Sequence, residues 1–434
     1  MAPVSKTVPQ MAVVILALNE RDNLDRLLPD LKGVLNELDV AADLVVVDGG
    51  SSDGTQEVAR RWSVRVVEQQ EPGYGGALLT GFSGTTDPYV VTMDADLSHR
   101  PVFLGEFWKR RGEAELVIAS RYVDGGQADM SVTRRLLSQL LNTVYRRVLS
   151  LPFRDLSSGF RMYRRDTIER LTIRARDFDA LEEILIRVHT EGWRVLEVPF
   201  HYMARATGRS HVRLVRFGLA FLKTLRRMWR LRNSVAAADY DYRAFDSVIW
   251  LQRYWQRTRH RIVLGYLEDR RDILDVGCGT SRIIVDLPDA VGFDLQHNKL
   301  RWLRPRHRRL IRGDCAGLPF KDGSFGSVIH SEVIEHVPDR PEILQEVWRV
   351  LRPGGLAIVG TPDYGRWLWW VLEWIHGTIH PEEYAHEHIS RFTRVSLAAR
   401  LRAAGFEILD CRYVGSCEMI FKVRKPVRAD SGRP

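Results

Sequence analysis

Asp94 and Asp96 end the apolar run Val90-Val91-Thr92-Met93 and are followed by the turn Leu97-Ser98. In an extended strand, residues i and i+2 point to the same side. Two carboxylates set that way at a strand end can meet one hard cation, and Mg²⁺ or Mn²⁺ shared with substrate phosphates suits the geometry. The bland reading is a polar strand exit with Asp as turn former. Asn19-Glu20, Asp48 and Gly73 also follow short apolar runs, so several strand ends carry small or acidic residues, which sets the pair apart. A second series starts far downstream, with the turn Asp275-Val276-Gly277-Cys278-Gly279, then Asp294, Gly313-Asp314 and Ser331-Glu332. Glycines there permit close backbone approach to a ligand, and an acid at the next strand end can accept from ribose hydroxyls.

The elements that must position these groups follow from periodicity. Residues 12–18, 44–47 and 64–67 and the run before Asp94 read as strands. Between the first two, Leu24, Leu27, Leu28, Leu31, Val34, Leu35 and Leu38 recur at helical spacing. Alternating strands and helices predict a mostly parallel sheet with ligands at the carboxyl ends of its strands. The pattern restarts after a small, polar stretch. The expected fold class is α/β with two domains, 10–232 and 242–425, joined by a linker 233–241 and ending in a disordered tail 426–434. At 434 residues, 45% of them hydrophobic, the chain has core enough for both.

Ala17-Leu18-Asn19-Glu20, Val47-Asp48-Gly49-Gly50-Ser51-Ser52-Asp53-Gly54-Thr55, Gly73-Tyr74-Gly75-Gly76-Ala77 and Met93-Asp94-Ala95-Asp96-Leu97-Ser98 resemble, in that order, the family 2 glycosyltransferases. Ala119-Ser120-Arg121-Tyr122-Val123-Asp124-Gly125-Gly126 and Asp155-Leu156-Ser157-Ser158-Gly159-Phe160-Arg161 are similar to the polyprenyl-phosphate (dolichyl-phosphate) mannose synthase branch. The resemblance covers residues 10–232 and implies a GT-A nucleotide-diphospho-sugar fold with inversion at the sugar carbon. It implies Asp94 and Asp96 as the catalytic, metal-holding carboxylates on the departing diphosphate. Substrate contacts fall to Asn19, Glu20, Asp48, Asp53, Arg121, Arg135, Arg205 and His211, with Asp48 at the nucleotide base or ribose and the arginines at phosphates. The implied donor is GDP- or UDP-linked, and mannose follows from the branch, not from a residue. Two departures stand out: Asp48-Gly49 replaces the family's Asp-Asp, and His211 replaces a lysine. A lipid phosphate is already ionised near neutral pH, so positioning and cation clamps, not a strong base, would carry the reaction.

Residues 131–232 hold 22 Lys and Arg against nine Asp and Glu, an excess of 13 in a chain whose net charge is +9. Such a block predicts an anionic partner. Within it, Leu214, Gly218, Phe221, Leu222, Leu225, Met228 and Trp229 line one side of a helix over 212–232. Arg213, Arg216, Lys223, Arg226, Arg227 and Arg230 surround that side. The helix either packs its stripe on the sheet or makes a peripheral contact with an anionic membrane. Nucleic acid is not expected, because the block has no interleaved aromatic platform. No apolar stretch reaches the roughly 18 residues of a spanning helix. Met11 to Leu18 is too short for a signal and lacks a basic segment ahead of it. Cys278, Cys315, Cys411 and Cys417 form no C-x-x-C pair and read as reduced thiols. The expected location is cytoplasmic, on the inner face of the cell membrane.

In the second half, Asp272-Ile273-Leu274-Asp275-Val276-Gly277-Cys278-Gly279-Thr280, Val291-Gly292-Phe293-Asp294 and Gly313-Asp314 come first. Ser331-Glu332-Val333-Ile334-Glu335-His336-Val337 and Leu351-Arg352-Pro353-Gly354-Gly355 follow. Together they resemble the class I S-adenosylmethionine-dependent methyltransferases over residues 242–425. The resemblance implies a Rossmann-like fold and S-adenosylmethionine as cofactor. Asp275, Gly277 and Gly279 would flank it, with Asp294 at its ribose and Asp314 at its adenine. Methyl transfer is a direct displacement, so the protein aligns the acceptor and, where needed, deprotonates it. Glu332, His336, His386 and His388 are the candidate bases, Glu332 foremost. Glu332, Glu335 and His336 would share one helix face. A related quinone-methylating branch sets similar residues around a metal; a polar helix start is the alternative. Trp367, Trp369, Trp370 and Trp374 lie in an insertion between two late strands, as a packed lid, an apolar acceptor channel or a membrane contact.

The expectation is a bifunctional transferase. Its first half moves a sugar, metal-dependently, from a nucleotide sugar to polyprenyl phosphate. Its second half methylates an unidentified lipid or glycoconjugate acceptor. The alternatives are a soluble or carbohydrate acceptor for the sugar, and a second domain that binds its cofactor without turnover.

Overall fold

A computed structural model describes residues 10–203, 214–379 and 388–427. The chain forms two units, Met1–Arg232 and Asn233–Pro434. Strands of the first are Met11–Ala17 (β1), Ala42–Asp48 (β2), Arg65–Glu68 (β3), Tyr89–Asp94 (β4), Leu116–Ser120 (β5), Gln127–Ala128 (β6), Arg161–Arg164 (β7), Val195–Pro199 (β8) and His201–Tyr202 (β9). Seven of them form one sheet in the order β3-β2-β1-β4-β7-β5-β8. β1 pairs in parallel with β2 and β4, while β7 runs antiparallel between β4 and β5. The sheet is thus mostly parallel, with one reversed strand that simple alternation does not reveal.

All seven residues of β1 are buried, as a strand covered on both faces requires. Its alternate side chains feed two cores, Met11, Val13 and Ile15 into one, Val14 and Leu16 into the other. The helix Arg21–Glu37 buries Leu24, Leu27, Leu28, Leu31 and Leu35 on the first. Burial of each such leucine stabilises by roughly 1.5–3 kcal/mol. The helix Val132–Val148 behaves differently. It buries only Asn142 and Tyr145 and leaves Val132, Leu136, Leu137, Leu140, Val144 and Val148 exposed. In the helix Leu214–Arg232, Phe221, Leu225, Met228 and Trp229 pack on the second core, but Leu219 and Leu222 are exposed.

Strands of the second unit are Ile273–Val276 (β10), Val291–Asp294 (β11), Leu310–Arg312 (β12), Phe325–Ser331 (β13), Leu351–Pro362 (β14), Glu407–Val414 (β15) and Glu418–Arg424 (β16). Their order is β12-β11-β10-β13-β14-β16-β15, with β16 antiparallel to both neighbours. Ahead of β10 lie two helices, Tyr240–Phe245 and Trp250–Tyr266. The stretch expected as a linker belongs to this unit: Ala238 is buried in a core with Ile262, Ile284 and Ile329. Its small residues, which suggested a spacer, are what allow that close packing. Among the described residues, no helix is long and apolar enough to cross a membrane.

Candidate active sites

The first site lies where β1, β2 and β4 end. Asn19, at φ +56, donates its N–H to Ser51 Oγ (2.8 Å) and accepts from Ser52 N at Oδ1 (2.9 Å). Glu20 N donates to Thr55 Oγ1 (2.9 Å). Asp53 accepts from Arg21 N (3.1 Å), Thr55 N (3.0 Å) and Thr55 Oγ1 (2.5 Å). These bonds stitch the loops after β1 and β2 together, and Asp53 serves that framework. Asp48 is buried; its Oδ2 accepts from Gly50 N (3.2 Å), Ser51 N (3.0 Å) and Gln56 Nε2 (2.8 Å). Its Oδ1 has no hydrogen-bond partner among the described residues. Burial alone would raise its pKa, but the hydrogen bonds from Ser51, Gln56 and Gly50 hold it below the usual carboxylate range.

Asp94 Oδ1 accepts from Tyr74 Oη (3.1 Å), and Asp94 N donates to His99 Nδ1 (3.0 Å). Asp96 is buried, with Oδ1 accepting from Ser98 N (3.1 Å) and Ser98 Oγ (2.5 Å). Tyr74 and Ser98 are uncharged donors that steady the two carboxylates. The loop leading into β7 abuts the pair. A Cβ on Gly159 would lie 2.2 Å from Tyr74 Oη, so only glycine fits there.

Arg121 departs from expectation. It donates to both Asp155 oxygens (2.8 and 2.7 Å) and to Ser157 Oγ (2.8 Å). Its planar fork is already engaged by a buried carboxylate, so it anchors the Asp155–Gly159 loop instead of presenting charge to a phosphate. Arg135 is exposed on the helix Val132–Val148. Arg205 and His211 lie outside the described residues.

The second site surrounds the turn after β10. Gly277 and Gly279 have φ of +69 and +51, and a Cβ on Gly277 would lie 2.1 Å from Val333 Cγ2. Asp294 ties this turn to β11, accepting from Gly279 N (2.8 Å) and Gln296 N (2.7 Å). Asp314 accepts from Ala316 N (2.9 Å). Asp241 approaches the same turn, accepting from Thr280 N (3.2 Å) and Lys299 Nζ (3.1 Å). The glycine-rich approach, the acid at the next strand end and this charged pair fit the polar groups of S-adenosylmethionine. Asp275 instead sits inside β10; burial and then Asp294 push its pKa up to about 8, so it is a buried neutral acid. Gly277→Ala is expected to weaken S-adenosylmethionine binding about tenfold or more by calorimetry, since strain of ~1–3 kcal/mol adds to the clash.

At the end of β13, Glu332 has φ +59 and only Ile334–His336 forms a short 3₁₀ turn, so the expected helix face is absent. Glu332 pairs with Arg259 (3.0 Å), which also grips both oxygens of Glu418 (2.6 and 2.7 Å). Trp255 Nε1 donates to Glu418, and Thr361 Oγ1 to Glu335 (3.0 Å). Arg259 thus faces more carboxylate charge than one cation can balance. Burial, with Glu418 and Glu335 nearby and Arg259 opposing, raises the Glu332 pKa far above normal, and burial lifts Glu335 to about 8. Glu335, His336 and His388 each offer a ligand atom within 4.8 Å of the others. His388 Nδ1 lies 2.7 Å from Tyr364 Oη, which also donates to Glu373 (2.9 Å). Burial, His336 and Arg391 hold His388 at about 4, hence neutral. His386 lies outside the described residues.

Sequence reasoning missed Asp241, Lys299, Arg259 and Glu418. A signal existed for Arg259: Trp255, Arg259, Ile262, Val263 and Tyr266 fall on one helical stripe, and an arginine there needs a buried partner.

Residues 12–172 match Glycosyl transferase family 2, and residues 274–359 match a Methyltransferase domain. Dolichol-phosphate mannosyltransferase of Pyrococcus furiosus is 32% identical over 233 residues, which are 51% of this chain and 63% of that protein's length. Undecaprenyl-phosphate mannosyltransferase of Micrococcus luteus is 33% identical over 239 residues, 49% of this chain and 95% of that protein. A solved SAM-dependent methyltransferase of Thermotoga maritima, described as a possible histamine N-methyltransferase, is 23% identical. It covers 42% of this chain and 93% of its own, with a TM-score of 0.37. Through its first unit the chain belongs to glycosyl transferase family 2, and its second unit carries a methyltransferase domain.

Proposed function

We propose that the first unit transfers mannose from a GDP- or UDP-linked donor to a polyprenyl phosphate, with inversion. Asp48, ionised and with a buried Oδ1 that has no hydrogen-bond partner among the described residues, accepts from the nucleotide. Asn19, Ser51, Ser52 and Asp53 keep the two loops around it rigid. Asp94 and Asp96 are the residues that would hold Mg²⁺ or Mn²⁺, whose role is to neutralise the departing diphosphate. The acceptor phosphate oxygen forms the new bond to the sugar carbon from the opposite face as the bond to the diphosphate breaks. No protein base is needed, because that oxygen carries no proton to remove.

The single observation behind a lipid acceptor is the helix Val132–Val148. Six aliphatic residues are exposed on it, Arg134, Arg135, Arg146 and Arg147 flank them, and it contains no acid. It meets the helix Leu214–Arg232 where Tyr145 Oη donates to Phe221 O (2.6 Å), next to exposed Leu219 and Leu222. Amphipathic helices of this composition lie in the headgroup zone of anionic membranes. In this reading the second unit binds S-adenosylmethionine at Gly277, Gly279, Asp294 and Asp314, with Asp241 and Lys299 beside them. The cofactor supplies a methyl group for direct displacement onto an acceptor aligned near Glu332 and His388. The test is labelled nucleotide sugar with and without polyprenyl phosphate and divalent cation. Label appearing in the lipid fraction only with both is expected; equal transfer to a water-soluble acceptor without lipid overturns the reading.

A further inference from the structure

We infer that the methyl acceptor is a lipid-anchored molecule, met at an anionic phospholipid surface that docks on an aromatic and basic collar of the second unit. This rests on the second unit being a working methyltransferase and adds the class of its substrate. One half of the collar precedes and opens the helix Trp250–Tyr266: Val248 is 95% exposed, Ile249 61%, Trp250 69% and Tyr254 48%. The other half is one face of the helix Trp367–Ile379, where Trp367, Trp370 and Trp374 recur at i, i+3 and i+7 and are 76%, 46% and 70% exposed. The two helices meet where Trp255 and Trp369 approach to 6.3 Å between ring centroids.

The two helical segments themselves are basic. Residues 247–266 contain no Asp or Glu, with Asp246 just before them paired to Arg257, and in 364–379 Glu373 is the one acid and bonds to Tyr364, with Glu382, Glu383 and Glu387 following in the sequence. Arg391 and Arg394 are exposed nearby, Arg391 stacking over Tyr364 and Trp370, and Arg253 lies on the first helix. Exposed tryptophan and tyrosine with arginine complement the phosphate-rich interfacial zone of a bilayer. Apolar exposure on this scale marks an interaction surface.

The same helices wall the polar centre. Trp255 holds Glu418 within the Arg259–Glu332 network, and Trp369 stacks on His388 at 5.9 Å. On each helix, one side chain faces the reacting groups and its neighbours face outward. An acceptor anchored in the bilayer would approach Glu332 and His388 past these helices.

The full chain with Cys315→Ser, Cys411→Ser and Trp374→Cys, labelled with an environment-sensitive fluorophore, tests this. The remaining native cysteines, Cys278 and Cys417, are buried. The probe is phosphatidylcholine vesicles with or without phosphatidylglycerol. A several-fold rise in emission with a blue shift, confined to anionic vesicles and reversed by salt, is expected. A parallel label at Leu140→Cys reports the first unit separately. A Leu140 label that responds while the Trp374 label does not overturns the inference and leaves the membrane reading of the first unit standing. A Trp374 signal that depends on protein concentration without vesicles means self-association and also overturns it. Titration with S-adenosylmethionine separates the underlying reading: binding with a silent Trp374 label defeats the collar alone, and no binding defeats both.

Discussion

Asp96→Asn should abolish sugar transfer and leave S-adenosylmethionine affinity unchanged. The substitution keeps the shape of a buried side chain whose Oδ1 accepts from Ser98 N and Oγ. An amide oxygen can take the same two bonds, so the loop after β4 keeps its form. The negative charge is lost. If Asp96 holds the cation that neutralises the departing diphosphate, transfer falls by at least the roughly 10²–10³-fold seen when one electrostatic stabiliser is removed. Single-turnover transfer and calorimetric titration of S-adenosylmethionine check the two halves of the expectation. A variant that lost both would mean the units are coupled; one that kept transfer would remove Asp96 from the mechanism.

The second large effect concerns Arg259. Arg259→Met leaves the buried Glu335 and Glu418 and the half-buried Glu332 without the cation beside them. Removing one partner from a buried ionic cluster costs about 3–5 kcal/mol. The unfolding transition of the second unit should therefore drop by several degrees, with the first unit's transition as internal control. The sign of the pH dependence is fixed. Glu335 has a folded pKa of about 8, above its unfolded value of 4.5, so the folded state binds the extra proton between those limits. Its contribution is fully present below the unfolded value and is lost as pH rises toward 8. Without Arg259, which opposes the rise at Glu332 and Glu335, ionising these two becomes costlier, so the variant should fall further below the parent at pH 8 than at pH 6. Calorimetry at both pH values decides; a deficit that shrinks as pH rises would show that the arginine does not offset these carboxylates.

Much of this was legible in the sequence for definite reasons. β1 and β10 are apolar runs ending in polar or glycine turns, and such runs report strands and strand ends together. Asp48, Asp94, Gly277 and Asp294 emerged because ligand sites in these sheets cluster at carboxyl ends. What stayed hidden were the partners. Nothing marks Asp155 in advance as the residue that takes up Arg121; that pairing exists because β7 reverses and brings its loop back. Asp241 looked like part of a spacer, since a run of alanines is equally good as a linker and as a tight contact. Glu332 stood out at a strand end, but its setting depends on Arg259 and Glu418, which lie 73 residues before it and 86 after it in the chain.

The last described strand is not at the edge of its sheet. β16 lies between β14 and β15, so a strand synthesised after both of its neighbours occupies an interior place. The second unit cannot close its sheet until residues through Arg424 are available, whereas the described strands of the first end at Tyr202. Domains tend to fold in order of synthesis. While the ribosome is still making the methyltransferase half, β14 has an unpaired edge rich in apolar residues, the kind of edge that recruits the wrong strand. Nascent chains stalled just before Glu418 should thus be protease-resistant in the first unit and sensitive in the second. An insertion tolerated in the loop before β15 should be ruinous within β16.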